Sequence, residues 1–333
     1  MARRSFRRAA LAVALAVGSA SEALAAGEPP AVVASIQPIH SLAAAVMEGV
    51  AEPRLLVAGG ASPHTYQMRP SDAQALARAD LVFWVGEGLE TFLARPLATL
   101  GARARTIDLM AADGVLLLPT RAGGGWEPHG HAEDDHEGEG NGHEHRHAAA
   151  EHAHDHGSGE DDAHVWLSPA NARAILRAMA AALAEADPTN APRYEANLAG
   201  VTERVHALER ELRAQLAPVR SKPYIVFHDA YQYLEHAFGL NAVGSITSTP
   251  DRPPSAARIA ALRDKLARDG AVCVFGEPQV RSALVATLVE GTRAGTGELD
   301  AEGSTRIEPG PEAWFRLMRD NARALVDCLS RAS

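Results

Sequence analysis

Three histidines occupy positions from which a side chain can reach a ligand. His64 lies in a Gly/Ser/Pro-rich turn after an apolar run, His164 directly precedes a long helical pattern, and His228 ends the apolar run YIVF. Residues at the edges of strands and loops project from a rigid scaffold, and imidazole is a common ligand of late first-row divalent metals. The three positions therefore indicate a metal site, provided that the fold brings them together.

A second concentration of histidine lies inside the chain, in a segment that otherwise holds mostly Gly, Ala, Asp and Glu. The segment has no apolar period, so it cannot bury a face, and we expect a disordered loop over 121–162. Its carboxylates add negative charge that attracts cations. We interpret the loop as a secondary metal-binding segment, whose histidines are His129, His131, His136, His143, His145, His147, His152, His154 and His156.

The other three histidines, His40, His206 and His236, fall in helical patterns. We interpret His206 as a surface residue and His236 as a packing residue. His40 begins a helix directly after a strand, which leaves a position in a cleft open to it.

The first residues have the three parts of a secretory signal peptide: a basic head, a short apolar run and a small-residue cleavage site, together residues 1–25. The apolar run is too short to span a bilayer. We therefore expect a soluble mature protein in a bacterial periplasm. The net charge of −10, with the basic residues scattered or in the leader, excludes nucleic-acid binding.

Two cysteines occur, Cys273 in an apolar run and Cys328 in the last helical pattern. In an oxidising compartment an even pair favours a disulfide. Two buried free thiols are the alternative.

Short apolar runs alternate with helical patterns in both halves of the chain, which predicts βα units and parallel sheets. Strands are expected in the first half at 31–36, 53–58, 79–85 and 104–109, and in the second half at 223–228, 241–246, 271–276 and 297–300. The fold class is therefore α/β, with two lobes that each hold a mostly parallel four-stranded sheet flanked by helices. A ligand is expected between the lobes, at the carboxyl ends of strands.

Two long helical patterns connect the halves, at 168–186 and 192–216. Ser168 is expected to cap the first of them, with Pro169 at its first position, and Ser71 is expected to cap an earlier helix. The predicted division is an N-terminal α/β lobe over 28–167, long helices including the interdomain linker over 168–217, and a C-terminal α/β lobe over 218–333.

Four motifs in this order, SPHxYxxRPSD, DxHxWLSP, FHDAY and FxEPQ, carry a resemblance over nearly the whole mature chain. Together they resemble the periplasmic zinc- or manganese-binding subunits of bacterial ABC importers, the cluster 9 (cluster A-I) family with a rigid interdomain helix. The acidic, His-rich insert is similar to that of the zinc-binding branch.

The resemblance implies four metal ligands: His64 and His164 from the first lobe, and His228 and Asp300 from the second. Manganese-binding relatives carry a carboxylate where this chain has His228. Three imidazoles suit Zn²⁺, whereas two carboxylates suit a harder ion. Either Asp300 itself or a water molecule would complete the tetrahedron.

Other motif residues are expected to support the ligands. Asp72, Asp229 and Glu277 are candidates to hold the second nitrogen of a metal-bound imidazole, and each could equally serve as a helix cap or in a first helical turn. Trp166 and Tyr66 are expected to shield the site from water.

The resemblance implies capture of Zn²⁺ as a transported ligand and its delivery to an inner-membrane ABC permease, by a monomer that is not an enzyme. The alternatives are a manganese or iron(II) receptor of the same family, a secreted zinc hydrolase, and a metal buffer in which the loop is the main site. The nucleophile-elbow motif GxSxG does not occur in the sequence. The one HExxH match, HEHRH at 143–147, lies in the low-complexity loop and not in a helical pattern.

Overall fold

Two four-stranded sheets, one in each half of the chain, form the framework of the protein. The first contains β1 (Val32–Ile36), β2 (Arg54–Val57), β3 (Leu81–Trp84) and β4 (Arg105–Asp108), and the second contains β5 (Pro223–His228), β6 (Asn241–Thr247), β7 (Cys273–Gly276) and β8 (Gly295–Glu298). Every pairing is parallel, and both sheets have the same order, β2-β1-β3-β4 and β6-β5-β7-β8. The predicted α/β class with two parallel sheets is confirmed.

This computed structural model describes residues 28–331 apart from 59, 123–124, 127–160, 249–252, 280–282 and 304–305. The predicted signal peptide and the nine loop histidines lie outside the described residues. The helices of the described part are α1 (Gln37–Val46), α2 (Pro70–Arg78), α3 (Thr91–Thr99), α4 (Pro169–Ala186), α5 (Ala191–Leu216), α6 (Gln232–Phe238), α7 (Ala256–Asp269), α8 (Ala283–Val289) and α9 (Ala313–Leu329). None of them is both long enough and apolar enough to cross a membrane.

Alternation along the strands decides which side chains face the space between the lobes, because successive side chains point to opposite faces of a sheet. In β5, Ile225 and Phe227 pack with α7 and α8 in an outer core. Tyr224 and Val226 belong instead to a large core that includes residues of both lobes. His228 is in phase with Tyr224 and Val226, so the pleat places its imidazole on the inner side.

Two long helices connect the lobes. Ser168 Oγ accepts a hydrogen bond from the backbone N–H of Asn171 at 3.3 Å, which confirms Ser168 as the N-cap of α4. α5 has 26 residues, which makes it about 39 Å long. It contacts α1 and α4 of the first half and α6 and α9 of the second half. One helix packed against both lobes restrains their relative position.

The disulfide between Cys273 of β7 and Cys328 of α9 is present, as predicted. The expectation that Ser71 caps a helix is wrong: α2 begins at Pro70 with Arg69 as its N-cap residue, because proline fits the first helical position. The last strand lies two residues earlier than predicted. Asp300 is therefore in the loop that follows β8.

Candidate metal centre

His64 is carried by the loop after β2. The backbone N–H of Thr65 donates to the carbonyl of Ser62 at 3.3 Å and closes a tight turn around His64. The backbone N–H of His64 itself donates to Ser62 Oγ, also at 3.3 Å. Ser62 thus fixes the main chain at the point where the His64 side chain leaves it.

His164 is oriented by Asp162, two residues earlier in the chain. Asp162 Oδ1 lies 2.7 Å from His164 Nδ1 and accepts the backbone N–H of His164 at 3.0 Å. Asp162 is itself held, since its carbonyl accepts the Tyr233 hydroxyl at 2.7 Å. A short 3-10 turn, Val165–Leu167, then leads into α4. The Trp166 ring lies 5.3 Å from the His164 ring and is fully buried, as expected of a residue that shields the site.

His228 is oriented by Glu277, which follows the neighbouring strand β7. Glu277 Oε1 lies 2.5 Å from His228 Nδ1 and also accepts the Tyr231 hydroxyl at 3.3 Å. Burial by itself lowers the pKa of the His228 imidazole, but nearby carboxylates, Glu277 first, raise that pKa above its ordinary value. This position fits the general rule for parallel sheets: β5 and β7 meet where the strand order reverses, and their carboxyl ends open into a crevice.

The fold brings the three histidines together. One ring nitrogen from each of His64, His164 and His228 lies within 4.8 Å of the others. The Nε2 atoms of His164 and His228 are 3.4 Å apart. Carboxylates at both Nδ1 atoms favour protons there, which turns Nε2 lone pairs toward the common centre. Three neutral imidazole donors around one point form a site for a late first-row divalent cation.

Asp300 is not part of this cluster, which among the described residues contains the three histidines alone. Its Oδ1 accepts the backbone N–H groups of Glu302 and Gly303, at 3.1 and 2.9 Å, so it caps its own turn. A second carboxylate in the same turn, Glu302, was not predicted from the sequence. It is buried, and it contacts Ser62 of the first lobe. Burial raises the pKa of Glu302 to about 8, against the opposing effect of nearby His228.

Of the three predicted supports, only Glu277 holds a clustered histidine. Asp72 accepts the Tyr66 hydroxyl at 2.7 Å and the backbone N–H of Arg69 at 3.0 Å, so it organises the start of α2. Asp229 pairs with Arg121. Sequence reasoning missed Asp162, although the spacing D-x-H contains the signal for it.

The remaining described histidines lie outside the cluster. His40 Nε2 is 3.0 Å from the carbonyl oxygen of Pro53, and burial lowers the pKa of its imidazole. His206 is half-buried on α5, and His236 is exposed on α6, so the expectation that His236 is a packing residue is wrong. His40 of α1 thus has a local structural partner in the residue that precedes β2.

The described ends of the predicted 121–162 loop are packed against the C-terminal lobe. Arg121 pairs with both Asp229 and Glu235 and stacks 3.4 Å from the centre of the Trp126 ring. The Gly125 carbonyl accepts the backbone N–H of Ser245 at 3.1 Å. At the other end, Pro119 and Asp161 form an isolated antiparallel bridge. The prediction of disorder therefore differs from the structure at both ends, because specific polar contacts outweigh the low apolar content.

Two lobes with parallel sheets, together with a histidine cluster drawn from both of them, define the class of two-lobed metal-binding proteins. The sequence profile of the family described as zinc-uptake complex component A, periplasmic, matches residues 32–328. The chain belongs to this family.

Named relatives agree with that assignment. High-affinity zinc uptake system protein ZnuA of Brucella suis biovar 1 (strain 1330) is 47% identical over 328 residues, which cover 96% of this chain and 98% of the relative. The protein of the same name from Paracoccus denitrificans (strain Pd 1222) is 41% identical over 329 residues, 97% of this chain and 98% of the relative.

Solved structures share the fold. A crystal structure of ZnuA matches with a TM-score of 0.71 and 23% identity, over 90% of this chain and 99% of that chain. The Mn²⁺ complex of FpvC from Pseudomonas aeruginosa matches with a TM-score of 0.72 and 20% identity, over 91% and 99% of the two chains. At these identities the likeness concerns the fold alone.

Proposed function

We propose that this protein captures Zn²⁺ at His64, His164 and His228 and delivers it to the permease of an ABC importer. The family is that of a zinc-uptake component, and its relatives are named for high-affinity zinc uptake. The observation that carries the ligand assignment is the convergence of three imidazole nitrogens within 4.8 Å. Zinc takes such donors at about 2.0–2.1 Å. Resemblance to the family adds Asp300 or a water molecule as the fourth ligand.

Capture, not catalysis, follows from the family, which is a transport component and not an enzyme. This sets aside the zinc hydrolase. Manganese or iron(II) as cargo is disfavoured by the donor set, because nitrogen donors dominate the cluster and hard cations prefer oxygen. The manganese complex among the structural neighbours shares the fold and not a ligand set that can be transferred at 20% identity.

The location and partner follow from the family at a coarse level: a periplasmic component of an importer. We extend this to a monomer that is exported by the signal peptide at 1–25 and docks on a permease in the inner membrane. Helix α5, packed on both lobes, would act as a rigid linker, so metal capture would involve loop adjustments more than closure of whole lobes.

The nine loop histidines would form a secondary, weaker site that gathers metal for the cluster. Support comes from where the described ends of the loop attach. Asp162, at one end, contacts His164, and Arg121, at the other, pairs with Asp229 beside His228. The loop is therefore joined to the surroundings of the cluster at both of its described ends.

Zinc titration of metal-free protein tests the ligand assignment. Competition against a chelating dye resolves the tightest site in wild type and in His64→Ala, His164→Ala and His228→Ala. We expect one tight ion in the wild type and at least a hundredfold loss of affinity in the His164 and His228 variants. His236→Ala, which changes an exposed side chain on α6, is the matched control. Equal affinity in all the variants would overturn the assignment.

A further inference from the structure

Glu302 is a buried carboxylate with an unsatisfied oxygen beside the histidine cluster. The residue is 7% exposed. Its Oε1 accepts the Ser62 hydroxyl at 3.4 Å, and its Oε2 is buried without a hydrogen-bond partner among the described residues. Buried carboxylate oxygens are normally hydrogen-bonded or bound to a metal, because desolvating them is costly. Oε2 is therefore available to a cation.

The main chain that carries Glu302 is held at several points, so the fold sets the point from which its side chain extends. Trp166 Nε1 donates to the carbonyl of Ala301 at 2.7 Å. Gly303 has a φ of +86°, and a Cβ at that position would come within 3.0 Å of the Gln37 side chain. This close approach, in the left-handed region, favours glycine. The turn therefore presents Glu302 inward against the first lobe.

Glu302 also reaches the loop of the first histidine. Ser62 Oγ donates to Glu302 and accepts the backbone N–H of His64, at 3.4 and 3.3 Å. The contact spans 240 residues of sequence and joins the two lobes through the ligand loop itself. Through Ser62, Glu302 is thus connected to the loop that carries one of the three clustered histidines.

Asp300 has a different role in the same turn. Its Oδ1 accepts two backbone N–H groups, and its backbone N–H and carbonyl are both bound by the Asn321 side chain, at 2.8 and 2.6 Å. These contacts shape the turn that displays Glu302. Asp300 therefore stabilises the turn, whereas Glu302 contacts the His64 loop through Ser62 and keeps one oxygen without a hydrogen-bond partner among the described residues.

We propose that Glu302, rather than Asp300, supplies the carboxylate ligand to zinc held by the three histidines, with Oε2 on the ion and Oε1 on Ser62. The inference rests on the proposed three-histidine site. Three imidazoles leave one position of a zinc tetrahedron open, and a carboxylate oxygen is one of the groups that can fill it. Glu302 is outside the 4.8 Å cluster, so its side chain turns toward the ion as metal enters. Zinc would thereby tie the His64 loop to the second lobe.

Two matched variants of the full chain, Glu302→Gln and Asp300→Asn, test this proposal. Zinc affinity is measured by dye competition on metal-free protein, and the donor set is read from the visible spectrum of the Co²⁺ complex, which responds to the type and number of ligands. We expect Glu302→Gln to weaken zinc binding at least about tenfold and to change the Co²⁺ spectrum. Asp300→Asn, which keeps an Oδ1 that can accept the same backbone N–H groups, tests the alternative ligand. Glu298→Gln, which removes the charge of an exposed ion pair with Arg306, is the control and should retain the wild-type spectrum.

Circular dichroism and thermal unfolding of the metal-free variants check the fold, and Glu302→Ala is the second variant if Glu302→Gln does not fold. A wild-type Co²⁺ spectrum in the Glu302 variant overturns the proposal, even with a weaker affinity, since Glu302 would then only position other groups. A changed spectrum in Asp300→Asn alone also overturns it. If His164→Ala binds zinc as tightly as the wild type does, the proposed three-histidine site is wrong as well. If His164→Ala loses zinc affinity while Glu302→Gln has no effect, the three-histidine site stands and only the role of Glu302 is rejected.

Discussion

His164 Nε2 lies 3.4 Å from His228 Nε2, although the first residue precedes α4 and the second ends a strand of the other lobe. Carboxylates at the opposite ring nitrogens, from Asp162 and Glu277, fix both rings in this arrangement. With protons on both Nδ1 atoms, two Nε2 lone pairs face each other. They repel unless a cation lies between them. The site is therefore preorganised for a metal before the metal arrives.

Replacing Glu277 with glutamine should weaken zinc binding by about tenfold to a hundredfold. The amide lacks the negative charge that makes the His228 ring a better donor and holds its proton on Nδ1. Dye competition on metal-free protein gives the affinity. Glu298→Gln, in an exposed ion pair with Arg306 on β8, is the control and should bind as the wild type does. Indistinguishable affinities for the two variants would contradict the role of Glu277.

A variant that lacks residues 127–160, with a short Gly/Ser linker in their place, should keep one tight zinc ion. Arg121 and Asp162 remain, and with them the contacts to Asp229 and His164. Elemental analysis of protein purified without chelator should show fewer bound ions than in the full chain, at an unchanged tightest affinity. Loss of the tight ion would instead indicate that the loop is the main site, as in a metal buffer.

Arg121→Ala should destabilise the protein strongly. It leaves the buried carboxylates of Asp229 and Glu235 without their cationic partner, and breaking a buried pair on one side costs about 3–5 kcal/mol. Urea unfolding of the metal-free protein measures the change. Arg319→Ala removes a bidentate but exposed pair with Glu211, for which less than about 1 kcal/mol is expected. Similar losses in the two variants would show that the loop anchor contributes little.

Glu90 should make stability depend on pH. Its carboxylate is buried and accepts the backbone N–H groups of Val85 and Gly86, both at 3.0 Å, and burial raises its pKa to about 7. The ordinary value is about 4.3. The folded protein thus holds this proton more tightly than the unfolded chain does, so the contribution of Glu90 falls as pH rises between these two values.

Relative to Glu90→Gln, the wild type should lose up to about 1.4 kcal/mol of unfolding free energy per pH unit within this window. Urea unfolding of both metal-free proteins between pH 5 and 8 gives the difference at each pH. Parallel profiles would show that Glu90 titrates at an ordinary value in the fold.

Local pattern was enough to predict the strands and to single out the three histidines that cluster; their role as ligands was implied by the family resemblance. The run YIVF is apolar and contains β-branched residues, which is typical of a buried strand. His228 directly follows this run, so it lies at the end of β5. Ser168 and Pro169 specify the start of α4 through contacts within one turn. Such features depend on neighbours a few residues away, which the sequence displays directly.

Only the tertiary structure decided which polar groups meet. Asp72, Asp229 and Glu277 look alike in sequence, yet Asp229 turns to Arg121 and Glu277 alone reaches a clustered histidine. Glu302 meets Ser62 across 240 residues, a contact that no local period encodes. The physical reason is that the period of a helix or strand determines on which face of that element a side chain lies. Which side chain it contacts there depends on how the two lobes pack against the helices that they share.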